Sequence, residues 1–273
     1  MFRVGQRLAR SIHRKFADEN SVDVSESDGV RYLHLGNDTI QSAMRIINPT
    51  ALELRYTRGV MMFLLFAPKA KTMLGIGLGG GSIARYMHHH LPHIHQRIVE
   101  INPQVISIAR SHFALPDDDE RLQVIKGDGA EYIANHPETT NILFLDAYST
   151  HGLPEELSAQ AFFDQCADAL TADGLLITNL WGSDKRFDLY LQRIEQSFDG
   201  RVLVLATGKP GNILVFGFKR EPDDLRWATL RERAKVLEAE YQLEFLDFLE
   251  RLRDRNPSSP HRLFLDANQK EIS

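Results

Sequence analysis

Residues 71–100 read KTMLGIGLGGGSIARYMHHHLPHIHQRIVE, and the order of residue types in this stretch decides the fold. Thr72 to Ile76 is a short apolar run without surface charges, as in a parallel strand buried on both faces. Gly77, Gly79, Gly80 and Gly81 follow, and Ser82 is placed to cap a helix from Ile83 to about His90. Glycine is needed where a strand turns sharply into a helix and the backbone must approach a ligand with no Cβ in the way. A second strand, Arg97 to Ile101, carries Glu100 near its tip, about 20 residues after the glycines, where a carboxylate can accept from both hydroxyls of a ribose. The bland alternative is a tight turn that binds nothing. Ser82 stands at the third position of the dinucleotide fingerprint, which leans away from a pyrophosphate ligand. It leans towards a nucleoside without phosphate, such as S-adenosylmethionine, which needs no anion site at the helix end.

Working outward, strand and helix patterns alternate regularly. Asn102-Pro103 opens a helix, and a strand Leu122 to Lys126 leads into the turn Gly127-Asp128-Gly129 and another helix. Strand Asn141 to Asp146, helix Ser158 to Leu170, strand Gly174 to Leu180 and helix Lys185 to Phe198 follow. Val202 to Ala206 and Ile213 to Phe218 are joined by a link so short that only an antiparallel hairpin fits. The expected class is α/β: a doubly wound, mostly parallel seven-stranded sheet, the Rossmann-like arrangement of S-adenosylmethionine-dependent methyltransferases, which the fold resembles.

The flanks complete the division. Residues 1–20 read as a basic amphipathic helix or arm, with five Lys and Arg and no acid in the first 16, and without the continuous apolar core of a secretory signal. Residues 21–50 form a small antiparallel β-unit of short alternating segments. Residues 51–220 are the nucleoside-binding domain, opening on a helix with Leu52, Tyr56, Val60, Phe63 and Leu64 at helical spacing. Residues 221–256 read as one long amphipathic helix with an apolar stripe from Trp227 to Leu252, and 257–273 as a loose tail.

Composition narrows the function. A net charge of −5 and a pI near 6.1 argue against a nucleic-acid binder and suit a cationic small substrate. The longest apolar run, Val60 to Ala67, is about half of a membrane span, so no transmembrane segment is expected. One cysteine, Cys166, in a helix, excludes an internal disulfide framework and suits the cytoplasm. His88, His89, His90, His93 and His95 cluster at the end of the helix remote from the ligand edge, with no cysteine and no second element at zinc spacing, so no metal is assigned.

In such a sheet the ligand lies beyond the carboxyl ends of the strands, where Glu100, Asp128, Asp146, and Asn179 with Trp181 are delivered by position. Asp128 could accept from an adenine amino group with Ala130 beside it, or could simply cap its helix. Asp146 ends the most apolar strand, ILFLDAY, where a carboxylate needs a named partner or a chemical task.

The order QSAM, RYTRG, GIGLGGGS, IVEINP, KGDGAEY, LDAYSTHGLP resembles the spermidine synthase (polyamine aminopropyltransferase) family over about Val22 to Phe218. The resemblance implies that Gln41, Glu100 and Asp128 hold the nucleoside of decarboxylated S-adenosylmethionine. It also implies that Asp146 begins the segment closing over the reaction centre, and that Tyr56 faces the acceptor, an amine. With the C-terminal stripe, it leans towards a homodimer. The chain departs from the family where Gly80 and Ser149 stand for aspartates and Thr57-Arg58-Gly59 for an acidic pair. Serine is no base at neutral pH, so His151 in the same loop is a candidate base, with Glu155 and Glu156 as sources of negative charge. Arg58 beside the acceptor would repel a polyamine. Methyl transfer from S-adenosylmethionine to another acceptor, or nucleoside binding without catalysis, are the alternatives.

Overall fold

In this computed structural model the described residues are 10–13, 21–147, 152–208 and 211–265. Four antiparallel strands come first, β1 (Arg10–His13), β2 (Val22–Ser27), β3 (Val30–Leu35) and β4 (Ile40–Arg45), in spatial order β1-β2-β3-β4. The helix expected in the basic N-terminal segment is absent at Arg10–His13. These residues run extended and pair with β2 at Arg10↔Glu26, covering N–H and C=O groups that an open strand edge would leave exposed. The other residues of that segment lie outside those described.

Helices α1 (Arg55–Val60) and α2 (Phe63–Phe66) replace the single helix expected there, and lead into β5 (Thr72–Ile76). The alternation then runs α3 (Ser82–His90), β6 (His95–Glu100), α4 (Pro103–His112), β7 (Leu122–Lys126), α5 (Gly129–Ala134), β8 (Thr140–Leu145), α6 (Gln160–Ala169), β9 (Leu170–Trp181) and α7 (Phe187–Ser197). Last in the sheet are β10 (Val202–Ala206) and β11 (Asn212–Phe218). The seven strands lie in the order β10-β11-β9-β8-β5-β6-β7. The expected hairpin is present, and its second strand is inserted: β11 pairs antiparallel with both β9 and β10, so the sheet edge is β10. Order reverses between β5 and β8, the place where an α/β sheet opens a crevice.

Apolar patterning explains the layers. Strands β5, β8, β9 and β11 are buried on both faces, as expected for strands covered by helices. On one face α5, α6 and α7 bury Ile133, Phe163, Cys166, Tyr190 and Ile194. Burial raises the Cys166 thiol well above its ordinary pKa, which makes it a packing residue. On the other face lie α1, α2, α3 and the C-terminal helices, and a third cluster ties the β-unit to α4 through Leu33, Met44, Val105 and Phe113.

The long C-terminal helix is two, α8 (Trp227–Tyr241) and α9 (Phe245–Arg255). Gln242 closes α8 in a left-handed conformation, φ 55, and Glu238 accepts from the N–H of Leu246 at 3.0 Å. The break lets the whole stripe turn inward: Trp227, Leu230, Ala234, Phe245, Phe248 and Leu252 are all buried in the chain's own core. Asn256 then covers the sheet edge, donating to Val204 O and accepting from Val204 N–H. The expected loose tail is held through Leu265, because Leu263, Phe264 and Leu265 are buried and Leu263 N–H donates to Leu225 O at 2.9 Å. Residues 266–273 lie outside those described.

Candidate functional site

The glycine turn forms as the residue types require. Gly77 has φ 91, and a Cβ there would lie 2.3 Å from the carbonyl oxygen of Asp146, so the ends of β5 and β8 touch backbone to backbone. Helix α3 starts after Gly81 in a left-handed conformation without a side-chain cap. Ser82 is therefore its first residue rather than its cap, and its hydroxyl points to Ala43 O, 3.4 Å away. Glu100 leaves β6 buried, its two oxygens accepting from Leu78 N–H at 2.9 Å and Asn102 N–H at 2.8 Å. These bonds fix the carboxylate between the glycine turn and α4, and its remaining lone pairs suit two hydroxyl donors. Asp128 caps α5, one oxygen accepting from Ala130 and Glu131 N–H at 2.8 and 3.0 Å, so the capping role is real.

Two parts of this turn were not legible in the sequence. Ser42 of β4 accepts from Gly80 N–H at 2.8 Å and, with Gln41 beside it, makes the β-unit one wall of the site. Arg85, on the buried face of α3, donates to the carbonyls of Gly80 (3.1 Å), Phe113 (2.6 Å) and Pro49, strapping the turn to the β-unit and α4. Burial lowers its pKa to about 10, so the guanidinium stays charged at neutral pH. The one signal for Arg85 in the sequence is an arginine on the otherwise apolar side of a short helix.

At the other end stands Asp146. Tyr56 Oη donates to its Oδ2 at 2.9 Å, and Asn179 Nδ2 to its Oδ1 at 2.8 Å. Burial raises this carboxyl above the ordinary range, and the bonds from Asn179 and Tyr56 pull the other way. The Tyr56 phenol is pushed well above its usual value, by burial first and then by the neighbouring carboxylate, so it acts as a donor and not as a base. Asn212 Nδ2 donates to Asn179 Oδ1 at 3.0 Å, a contact between β9 and β11 that no motif announces.

One cavity of about 630 Å3 joins the two ends, lined by Gln41, Ser42, Tyr56, Gly77, Gly79, Glu100, Asp128 and Asp146 among others. Gly80 and Ala130 back this wall without lining it. Its charged residues are Glu100, Asp128, Asp146 and Glu156; among the described residues that line it there is no Lys, Arg or His. Ile101, 66% exposed, offers an apolar cover beside Glu100. Arg58 does not line the cavity, which corrects the expected repulsion. It turns to the α8–α9 junction, donating to Glu244 at 2.9 Å and to the carbonyls of Leu52 and Glu53 at 3.0 and 2.9 Å. His151 and Ser149 lie outside the described residues.

The cavity thus lies at the strand-order reversal, with a carboxylate at each end and a tyrosine bonded to one of them. Residues 53–201 match the spermine/spermidine synthase domain family. The polyamine aminopropyltransferase of Chromobacterium violaceum is 38% identical over 244 residues, 89% of this chain and 94% of that protein. The enzyme of the same name from Neisseria meningitidis is 38% identical over 257 residues, 92% and 98% of the two chains. The chain belongs to the spermine/spermidine synthase family. It is a transferase by that membership. In fold it is similar to a spermidine synthase solved with the transition-state analogue AdoDATO, TM-score 0.69 at 22% identity, covering 88% of this chain and 85% of that one. It is also similar to human methyltransferase-like protein 13 solved with SAH, TM-score 0.63 at 23% identity, covering 69% and 93%.

At Gly80, where the resemblance leads one to expect an aspartate, the structure leaves little room for a side chain. A Cβ at Gly80 would lie 2.9 Å from both the Phe113 ring and Ser42 Cβ, so these two side chains occupy the space next to the backbone. The histidine cluster stays apart from the cavity: His88 pairs with Asp119 at 2.8 Å, and His95 bonds to Glu120 O at 3.0 Å. Among the described residues no group of three or more potential ligands is arranged to hold a metal ion, and no helix is long and apolar enough to cross a membrane.

Proposed function

We propose that this chain transfers an aminopropyl group from decarboxylated S-adenosylmethionine to an amine acceptor. The observation that carries the reading is the charge of the cavity: four carboxylates line it, and no cationic side chain among the described lining residues. Decarboxylated S-adenosylmethionine is a dication, and a diamine acceptor is cationic too. Intact S-adenosylmethionine carries a carboxylate, which the charged groups described on this wall repel.

In this reading Glu100 accepts from the ribose hydroxyls, while Gln41, Gly77, Gly79, Asp128 and Ala130 shape the rest of the nucleoside site. Gly77 and Gly79 leave the backbone bare on the cavity side, and Asp128, already capping α5, keeps an oxygen for the adenine amino group. At the far end the amine nitrogen attacks the propyl carbon next to the sulfonium. The C–N bond forms and the C–S bond breaks with its electron pair going to sulfur, which leaves 5′-methylthioadenosine. The proton lost by the nitrogen goes to Asp146, whose raised pKa makes it a better acceptor than an exposed carboxylate. Tyr56 holds Asp146 in place, and Glu156, which lines the same cavity, balances the distal charge of the acceptor.

The test is product analysis. Protein supplied with decarboxylated S-adenosylmethionine and a set of diamines should release methylthioadenosine and a longer polyamine in equal amounts. Release of S-adenosylhomocysteine from intact S-adenosylmethionine, with no methylthioadenosine from its decarboxylated form, would replace this reading with methyl transfer. A cytoplasmic location fits substrates of this class. A homodimer rests on the family resemblance alone, since the C-terminal stripe is used within the chain; sedimentation analysis decides it.

A further inference from the structure

Asp146, directly after β8, Asn179 of β9 and Asn212 of β11 stand on three neighbouring strands and form one row of hydrogen bonds that ends on Tyr56. The direction of the row has a chemical meaning. An ionised carboxylate only accepts, whereas an asparagine amide presents a donor on one side and an acceptor on the other. Asn179 turns its NH2 to Asp146, which suits a carboxylate able to take a proton. The opposite orientation would set Asn179 Oδ1 against Asp146 and would be tolerated only with Asp146 already protonated.

What selects between the two orientations stands behind Asn179. Asn212 is buried and points its Nδ2 at Asn179 Oδ1, 3.0 Å away. Its own backbone is fixed, the carbonyl accepting from Thr207 N–H at 3.1 Å and Thr207 Oγ1 at 2.9 Å. Register does the rest: Leu214 lies opposite Asn179 and Asn212 opposite Trp181, so the two asparagines are diagonal neighbours on one face of the sheet.

We propose that Asn212 is a positioning residue which, by donating to Asn179, holds that amide with its NH2 towards Asp146 and so keeps Asp146 in the proton-accepting form. This rests on the reading above in giving Asp146 the amine's proton. The orientation itself is a property of the protein without substrate. Among the described residues the other titratable groups that bear on Asp146 are Tyr56 from α1 and the cavity carboxylates Glu100, Asp128 and Glu156. The cations of α1 are engaged elsewhere, Arg58 with Glu244 and Arg55 with Asp247.

The experiment follows the Asp146 carboxyl by carbon-13 NMR across a pH titration of the full chain, the signal being assigned by its loss in Asp146→Asn. Asn212→Leu removes the donor without adding charge, and Asn212→Ala serves if the leucine variant does not fold. Asn212→Asp reverses the donor. The expected result is a titration midpoint raised by about one unit in the neutral variant and further in Asn212→Asp, one unit being a tenfold change in the proton equilibrium. A parallel upward shift of the acid limb of kcat, with KM for the nucleoside unchanged, is expected in turnover. A midpoint at the wild-type value in the neutral variant, folded and binding nucleoside normally, overturns the proposal, whatever Asn212→Asp does through its charge. The titration needs no turnover, so an inactive wild type would defeat the aminopropyl reading and still leave this proposal decided.

Discussion

At the proposed nucleoside end the bonds that place the two carboxylates join residues close in sequence: Leu78 and Glu100 are 22 residues apart, and Asp128 caps a helix starting at the next residue. At the proposed acceptor end Tyr56 and Asp146 are 90 residues apart, and Asp146, Asn179 and Asn212 are separated by 33 each. The first set is built by one strand-turn-helix-strand unit and its neighbours. The second exists only after β8, β9 and β11 have been laid side by side. Local construction yields a site whose parts fail one at a time, and long-range construction yields a row in which each group sets the state of the next.

The largest effect is expected at the acceptor end. Asp146→Asn should lower kcat by about a thousandfold, the scale of losing a positioned base, while the dissociation constant for decarboxylated S-adenosylmethionine changes by less than about threefold. If calorimetry showed binding falling with turnover, the two ends would not be separable as described.

Glu100→Gln should do the reverse. Loss of charge-assisted bonds to the ribose is expected to weaken nucleoside binding by about 10- to 100-fold, with kcat at saturation nearly kept. A fall confined to kcat would move Glu100 into the chemistry.

Tyr56→Phe removes a bond that lowers the pKa of Asp146 and leaves the burial that raises it. The carboxyl then holds its proton to higher pH, so the acid limb of the rate profile should move up, and kcat at neutral pH should fall by about tenfold. A limb that stays in place or moves down would mean that Asp146 is not the titrating group.

The smallest effect concerns the region outside both ends. Arg58 and Glu244 are partly exposed, with side chains 24% and 41% accessible, so Arg58→Met should cost about 1 kcal/mol in denaturant unfolding. The KM for the amine should be unchanged. A marked drop in that KM would restore the repulsion that the sequence suggested.

The contrast between the two ends also explains what could be read in advance. The positions of Gly77, Glu100, Asp128 and Asp146 are legible because strand termini and glycine turns place them by local pattern, and the mostly parallel seven-stranded sheet follows from the same alternation, whereas the insertion of β11 beside β9 does not. Ser42, Arg85 and Asn212 are not legible, since their partners lie in other elements and their residue types are common on any surface. Arg58 reads as a site residue for the same reason: in the sequence it stands two places from Tyr56, and its neighbour in space is Glu244, 186 residues away. The C-terminal helix reads as unbroken in the sequence because its apolar spacing continues past Gln242, where only the backbone turns left-handed.

The central claim is that this cavity, walled by carboxylates, selects a dication. Its most direct test is a paired calorimetric titration with S-adenosylmethionine and with its decarboxylated form, which differ by a single carboxylate. The account predicts that the decarboxylated form binds at least about tenfold tighter, a difference that shrinks as salt is raised. Equal binding, or tighter binding of intact S-adenosylmethionine, would contradict it.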